Sequence, residues 1–557
     1  MSNRTSHTPN RIPVDVYSPK KLISSSTHCI WVAKIALFLL PFLLNAQTPA
    51  LFWNAPATDD ENIQRLAVDS EGNMIIGATF EKDFLSLPGA GGTDLALIRL
   101  SPTGEVLWRR SFGSGFNDEW SGIVVDSTDN IYAAGSFWLE LQIDTVLLTT
   151  DKQNIKALFV SKFTPDGDLM WVQKIEGDGL KTAGELTLDD EGRLLMAGYF
   201  ADTLFIGDQQ LVANGRTDLF VARFQPNGQF DWAAGAGYTG ETRALSLTAL
   251  PGGSVALTGF YNDTTQIGND QLIANTFDRD VFVCLYDTNG QPKWARRAGG
   301  VHDDAVTGIR YAPDGRLYVT GYLVGVISLS DDLSIQSQTG NPDFYLLTYD
   351  TTGTPVSARA YGGRQFQQTT GMALQDDQIW LSGYYQGDMT IDGQTVDAGS
   401  GIGSFMARFG PDLQLQKLYN FPSENNLLIN ALTFDPTGTL IFGGGYTGNL
   451  SIGGQNIASG GRFDLFLGQI LQATPMEALL ERPVEVSVFP NPAYDRLFIQ
   501  TEMAYDRLRL IDAQGRIVFE SARPLDFLPV SNLQPGMYYL VLTGSGWRRS
   551  VPVLIGR

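Results

Sequence analysis

The 557-residue sequence predicts an all-β protein built from one repeated unit, and three observations carry that prediction. The first is the stretch Thr217 to Trp232, TDLFVARFQPNGQFDW, which recurs as TDLALIRLSPTGEVLW (Thr93 to Trp108), ALFVSKFTPDGDLMW (Ala157 to Trp171) and RDVFVCLYDTNGQPKW (Arg279 to Trp294). Each copy is an apolar run, a turn rich in Pro, Asp, Asn and Gly, and a second short run closing on Trp, which is the pattern of a β-hairpin. The second is an upstream anchor of strand, tight turn and strand ending on a small residue plus an aromatic, as in DDEGRLLMAGYF and APDGRLYVTGYL. Its small residues are Ala78, Gly135, Gly198, Gly259, Gly321, Gly383 and Gly444, spaced by 57 to 63 residues, so there are seven copies with a period of about 61. The third is composition: 60 Gly and 26 Pro in a chain that is 43% hydrophobic imply many turns and therefore mostly β-structure.

Taken in order, the chain opens with a segment outside the repeat. Arg4, Arg11, Lys20, Lys21 and Lys34 precede the apolar run Ile35 to Leu44, and Asn45-Ala46 places a small residue at a cleavage point, so residues 1–46 are expected to be a secretory signal peptide. Ile30 to Leu44 is too short to span a bilayer and contains Lys34, so the mature chain is expected to have no transmembrane helix.

Residues 51–472 carry the repeats. Each unit is read as strand A before the tight turn, B ending on Gly-aromatic, C beginning near Asp94, Asp218, Asp280, Asp343 or Asp464, and D closing on Trp. Such units cannot bury both faces of their strands alone, and stacking them radially does, which predicts a seven-bladed β-propeller. The aligned Gly135, Gly198, Gly259, Gly321, Gly383 and Gly444 are expected where backbone or an aromatic ring packs closely. Trp53, Trp108, Trp171, Trp232 and Trp294 are expected to dock adjacent blades. Between B and C, stretches such as DTLFIGDQQLVANG and GNLSIGGQNIASG predict a small extra hairpin on each blade. The seventh copy ends at strand C, Arg462 to Gln472, while Leu51-Phe52-Trp53 stands alone before the first A strand. The N-terminal LFW is therefore expected to supply the missing outer strand and close the ring, removing an exposed edge. These repeats resemble the secreted seven-bladed β-propeller repeat family of bacterial surface and exported proteins, a resemblance that bears on fold more than on activity.

Residues 473–483, ATPMEALLERP, read as a linker. Residues 484–557 then alternate strands and turns as a small β-sandwich. Pro490-Asn491-Pro492 within VFPNP, Gly515 in IDAQGR, Gly536 in SNLQPGMYYL and the basic pair Arg548-Arg549 resemble the type A C-terminal sorting domain of cargo for the type IX secretion system of Bacteroidota. That resemblance implies a translocon partner, passage across the outer membrane, and release or attachment at the cell surface.

Charge and residue counts narrow the function. Removing five basic and one acidic residue with residues 1–46 leaves 34 basic and 59 acidic residues, a net charge of −25, which repels nucleic acid and anionic lipid. The mature chain keeps one cysteine, Cys284, and one histidine, His302, so it can build neither an intrachain disulfide nor a Cys/His zinc site. Cys284 in VFVCLY reads as a core residue and His302 as a loop residue. No cofactor is expected. The D-to-A connections carry Asp60, Asp118, Asp303 and Asp304, and carboxylates converging there would suit Ca2+. The reading is a non-enzymatic surface or secreted propeller binding a glycan or protein, with a hydrolase or lyase acting on extracellular polysaccharide as the alternative.

Overall fold

Short apolar strands separated by turn residues must close their backbone hydrogen bonds with one another, and in the computed structural model they do so as antiparallel sheets. The structure describes residues 49–55, 59–150, 155–274, 278–338, 340–470, 486–501, 505, 507–512, 517–525, 527–544 and 547–556. The expected signal peptide (1–46) and linker (473–483) lie outside the described residues. Among those described there is no helix, and none long and apolar enough to cross a membrane. One compact unit spans Thr48–Gln472, and the strands from Val486 to Ile555 belong to another.

The larger unit contains seven main sheets, each built on four strands A to D, the fifth extended to six by the hairpin Asp388–Ile391 and Gln394–Asp397. In the fourth, Thr242–Ala249, Val255–Tyr261, Asp280–Tyr286 and Pro292–Ala298 pair in that order. Its B and C strands, VALTGFY and DVFVCLY, are buried at every position because each face meets a neighbouring sheet. Leu195, Ala197 and Val221 of the third sheet share one core with Leu257, Phe282 and Cys284 of the fourth. Cys284 is thus the packing residue its sequence context implies, while His302 is exposed. Each A strand touches the A strand of the next sheet, and the seventh, Leu427–Phe434, touches the first, Asn62–Val68. The sheets therefore form a closed, propeller-like ring.

Closure uses the two ends of the repeat region. Pro49–Ala55 pairs antiparallel with Asp464–Ile470, with Leu51 opposite Gly468 and Trp53 opposite Leu467, and it serves as strand D of the seventh sheet. Extra hairpins follow strand B in the second to seventh sheets. The expectation of one on every sheet fails in the first, where only the bridge Phe84–Leu87 forms. There Leu85 and Ser86 have positive φ and Pro88 lacks an N–H, so a regular ladder cannot start.

Every A strand carries a β-bulge, at Gln64, Ser121, Gly184, Leu245, Thr307, Thr370 and Asn430. The bulge brings the carbonyl two residues earlier over strand B. A β-carbon at Gly259 would sit 1.8 Å from the Arg243 carbonyl oxygen. At Gly135, Gly198, Gly321, Gly383 and Gly444 it would meet the carbonyls of Glu119, Thr182, Ala305, Gln368 and Leu428 at 1.8 to 2.4 Å. The aligned glycines exist to admit these carbonyls.

The tryptophans on the outer strands pack outward onto the next sheet. The indoles of Trp108, Trp171, Trp232 and Trp294 lie against Gly167, Gly228, Gly290 and Gly353 in the next sheet's C-to-D turn. Those of Trp108, Trp171 and Trp294 donate Nε1–H to the carbonyls of Pro165 (2.8 Å), Pro226 (3.2 Å) and Thr351 (3.0 Å). Trp53 does not repeat this contact. A bulge between Leu51 and Trp53 puts the Phe52 ring against Gly104 instead, and Trp53 packs into the core shared by the seventh and first sheets.

In the smaller unit, Val486–Phe489, Arg496–Thr501 and Phe527–Pro529 form one sheet. Ile517–Ser521, Arg507–Asp512, Gly536–Gly544 and Trp547–Ile555 form a second. Leu497, Leu508, Leu528, Leu540 and Val553 fill a common core, which makes a small β-sandwich.

Candidate functional site

Three residues before each A-strand bulge the chain dips under the ring surface, and the seven side chains there are Glu61, Asp118, Lys181, Thr242, Asp304, Gln367 and Leu427. All seven are buried. Each chemistry is met locally where it is met. Asp118 accepts from Ser114 Oγ at 3.2 Å. Lys181 Nζ donates to the carbonyls of Lys156 and Gly179 at 3.0 and 2.8 Å, and Thr242 donates to Thr265 at 2.8 Å. Asp304 Oδ1 accepts from the Val324 amide at 3.2 Å, whereas Asp304 Oδ2 and both oxygens of Glu61 have no partner among the described residues.

The carboxylates of the Ca2+ expectation take the following places. No group of three His, Cys, Asp or Glu suited to a metal occurs among the described residues. Asp60 accepts from the Phe463 amide at 3.2 Å and faces Arg462 at 3.5 Å; Asp303 accepts from the Arg279 amide at 2.9 Å. Asp60, Asp118 and the Asp303-Asp304 pair belong to three different inter-sheet connections. Sequence reading reaches Asp118 and Asp304 through their charge but not the position they share with Lys181, Thr242, Gln367 and Leu427, because the residue type changes from copy to copy. The signal of that position is a fixed offset of 17 residues before the strand B glycine or alanine in six of the seven copies.

Burial pushes three of these acids up. Glu61 rises from its usual 4.5 to about 8, through burial first and then the fields of Asp464, Asp59, Asp60 and Glu81. Burial likewise raises Asp118 to about 7, with Asp94 adding, and Asp304 to about 8, with Asp280 and Asp303 adding. A carboxyl whose folded pKa is raised is held protonated by folding. Its contribution is complete below the unfolded pKa and is lost as pH rises from about 4.5 to about 8 for Glu61. Thermal unfolding is expected to give a lower midpoint at about pH 8.5 than at about pH 5. Glu61→Gln should raise the midpoint at the higher pH and leave it nearly unchanged at the lower; an identical pH profile in both proteins refutes the assignment.

The concave surface common to all seven sheets is the central channel, a cavity of about 660 Å3 lined by the A strands. Its charged lining residues are Arg65, Glu185 and Arg310. Glu185 accepts from Arg310 Nη2 at 2.7 Å and from Ser246 Oγ, so a carboxylate of the third sheet is held by residues of the fourth and fifth. Arg65 donates from Nε to the Ser121 carbonyl (2.7 Å) and from Nη1 to the Gln64 carbonyl (2.8 Å). No His, Asp, Lys or Tyr lines the cavity, and Glu185 is its one carboxylate among the described residues.

In the smaller unit Asn491 of the motif binds backbone. Asn491 accepts from the Leu554 amide at 2.8 Å and donates to the Pro552 carbonyl at 3.1 Å. Between Pro490 and Pro492, its amide thus stands in for a strand partner of Trp547–Ile555, next to the Ala493–Ile555 bridge. Gly536 opens the strand that pairs with Trp547–Ile555, and Arg548 and Arg549 lie within the latter. Gly515 lies outside the described residues.

Residues 487–551 match the family model described as a secretion system C-terminal sorting domain. The chain is similar to an uncharacterized WD repeat-containing protein of Acanthamoeba polyphaga mimivirus, 23% identical over 74% of this chain and 35% of that protein. It is also similar to the regulatory protein FlaEY of Caulobacter vibrioides, 26% identical over 46% of this chain and 29% of that one. The chain thus spans about a third of the length of these curated relatives. Among solved structures, PorZ, a surface component of the type IX secretion system of Porphyromonas gingivalis, aligns at 11% identity and TM-score 0.22, covering 89% of this chain and 81% of that one. The matched tail marks a protein exported through the periplasm to the cell surface or secreted, and it implies interaction with the type IX secretion machinery.

Proposed function

We propose that this exported chain is a binding or adhesion module: a non-enzymatic ring that holds an extracellular glycan or protein and is delivered by its sorting tail. The observation that carries the reading is the channel lining. Acid/base catalysis at a polysaccharide needs a proton donor and acceptor facing one bond. The cavity's one described carboxylate, Glu185, is bridged by Arg310 and Ser246, and the acids with raised pKa are buried at the sheet connections. Fixed hydrogen-bonding groups in a walled cavity are suited to holding a ligand.

The test is an array of extracellular polysaccharides and matrix proteins probed with the secreted protein, scoring both retention and cleavage products. Retention of at least one class without turnover is expected. Turnover of any polymer would assign the protein to the hydrolases or lyases instead.

A further inference from the structure

We infer that the central channel is an anion site in which Gln64 and Arg65 take the carboxylate of an acidic sugar. This rests on the reading of the ring as a binding module and names the class of ligand. Two guanidinium groups face one carboxylate in the cavity, in a protein whose formal net charge is −21. Glu185 is spent on Arg310 and Ser246, as described above. Arg65 makes no ion pair among the described residues; its Nε and Nη1 are occupied by neutral backbone carbonyls, which leaves Nη2 without an acceptor. Gln64 accepts from the Trp120 amide through Oε1 at 3.3 Å, so its Nε2 also has no acceptor among the described residues.

The two adjacent side chains are both anchored on the A strand of the second sheet, Gln64 at Trp120 and Arg65 at Ser121, and that anchoring sets their orientation before any ligand arrives. A pre-oriented guanidinium and the amide N–H2 of the neighbouring residue, both lining one cavity, offer donors to the two oxygens of a carboxylate, and charge-assisted hydrogen bonds are the strongest such contacts. Burial and partial neutralisation act on Arg65 together: removal from water lowers its pKa, and the field of Glu185 opposes that. An incoming anion would restore the missing counter-charge in a medium where each contact is stronger than in water.

The rest of the lining favours a sugar over a bare ion. A cavity of about 660 Å3 lies in the range that holds a small organic ligand, and it is walled mainly by Leu, Val, Ala, Gly and Thr. Such walls offer apolar surface to the faces of a pyranose ring, and Asn430 leaves its Oδ1 open to a hydroxyl while Nδ2 is held by Asn62 and the Ile63 carbonyl.

Glu185 gives the test its sign. As the one carboxylate near Arg65 it opposes an anion, so neutralising it should tighten binding, while neutralising Arg65 should abolish it. Calorimetric titration of the secreted protein at low salt with sodium glucuronate, glucose, sodium sulfate and the peptide acetyl-Ala-Ala separates the possibilities. Glucuronate should bind and glucose should not. Arg65→Gln should weaken glucuronate by about tenfold or more, Arg65→Lys by less, and Glu185→Gln should strengthen it several-fold. Thermal unfolding of each variant establishes that it is folded, and Arg65→Lys tests the charge if Arg65→Gln does not fold.

Equal binding by Arg65→Gln, weaker binding by Glu185→Gln, or no heat with glucuronate overturns the inference. So does sulfate or the peptide binding as tightly as glucuronate, which would make the ligand a different anion. If the polymer array retains ligands equally well on the wild type and Arg65→Gln, the binding function stands and the channel site is wrong. If neither experiment shows binding, both fall.

Discussion

Gly259→Ala is expected to destabilise the ring by about 3 kcal/mol or more, the upper part of the range for overpacked cores. The added β-carbon would lie 1.8 Å from the Arg243 carbonyl oxygen, 2.8 Å from its carbon and 2.9 Å from Ala244 Cα. All three are backbone atoms of strand A, so no side chain can turn aside to make room. The bulge that puts the carbonyl there is anchored by the buried Ala244 and Ser246 on either side of Leu245, and shifting it would disturb the channel wall. Ala78, which already occupies the equivalent position in the first sheet, supplies the control: Ala78→Gly should cost only about 1 kcal/mol, the penalty of glycine in a strand. Denaturant unfolding of both variants measures the contrast. Equal costs at the two positions would remove the steric explanation.

Deleting Val484 to Arg557 should leave the ring in the periplasm, folded. The tail matches a sorting domain over residues 487–551, whereas the ring obtains its last strand from Pro49–Ala55 and needs nothing from the tail to close. Cell fractionation should find the truncated protein absent from the surface and medium, with a thermal midpoint close to that of the ring in the full chain. The converse fusion, Val484 to Arg557 behind a signal-bearing fluorescent protein, should reach the surface or medium of a type IX-competent host. Export of the truncated chain, or its unfolding, would show that export and ring stability are not divided in this way.

Much of this architecture is legible in the sequence because it is local and repeated. A strand B glycine meets a strand A carbonyl in six copies, and a Trp near the start of strand D meets a Gly of the next C-to-D turn in four, so one period of about 61 residues announces them together. The start of strand C is similar. Asp94, Asp218, Asp280 and Asp343 recur because each packs against a glycine at or just after the end of strand D, at Gly113, Gly237, Gly299 and Gly362. The asparagine of the Pro-Asn-Pro motif is likewise readable, since its role is to bind one backbone segment of the same small unit.

What the sequence by itself determined is therefore the all-β class, the repeat, the outer strand that returns from the N-terminus and the sorting tail. Each of these rests on strand periodicity, on turn chemistry or on a contiguous motif, all of which act over a few residues. The tertiary structure alone decided that Phe52 and not Trp53 covers Gly104, because one bulge in Pro49–Ala55 shifts the side chain that faces the first sheet. It alone decided that Glu185 meets an arginine 125 residues away. Ring closure brings the A strands of different copies to one axis, and at that axis the side chains no longer repeat. Contacts between unlike residues of distant copies leave no period to read, and the charge left over at Arg65 emerges only when all seven strands are placed around the same cavity.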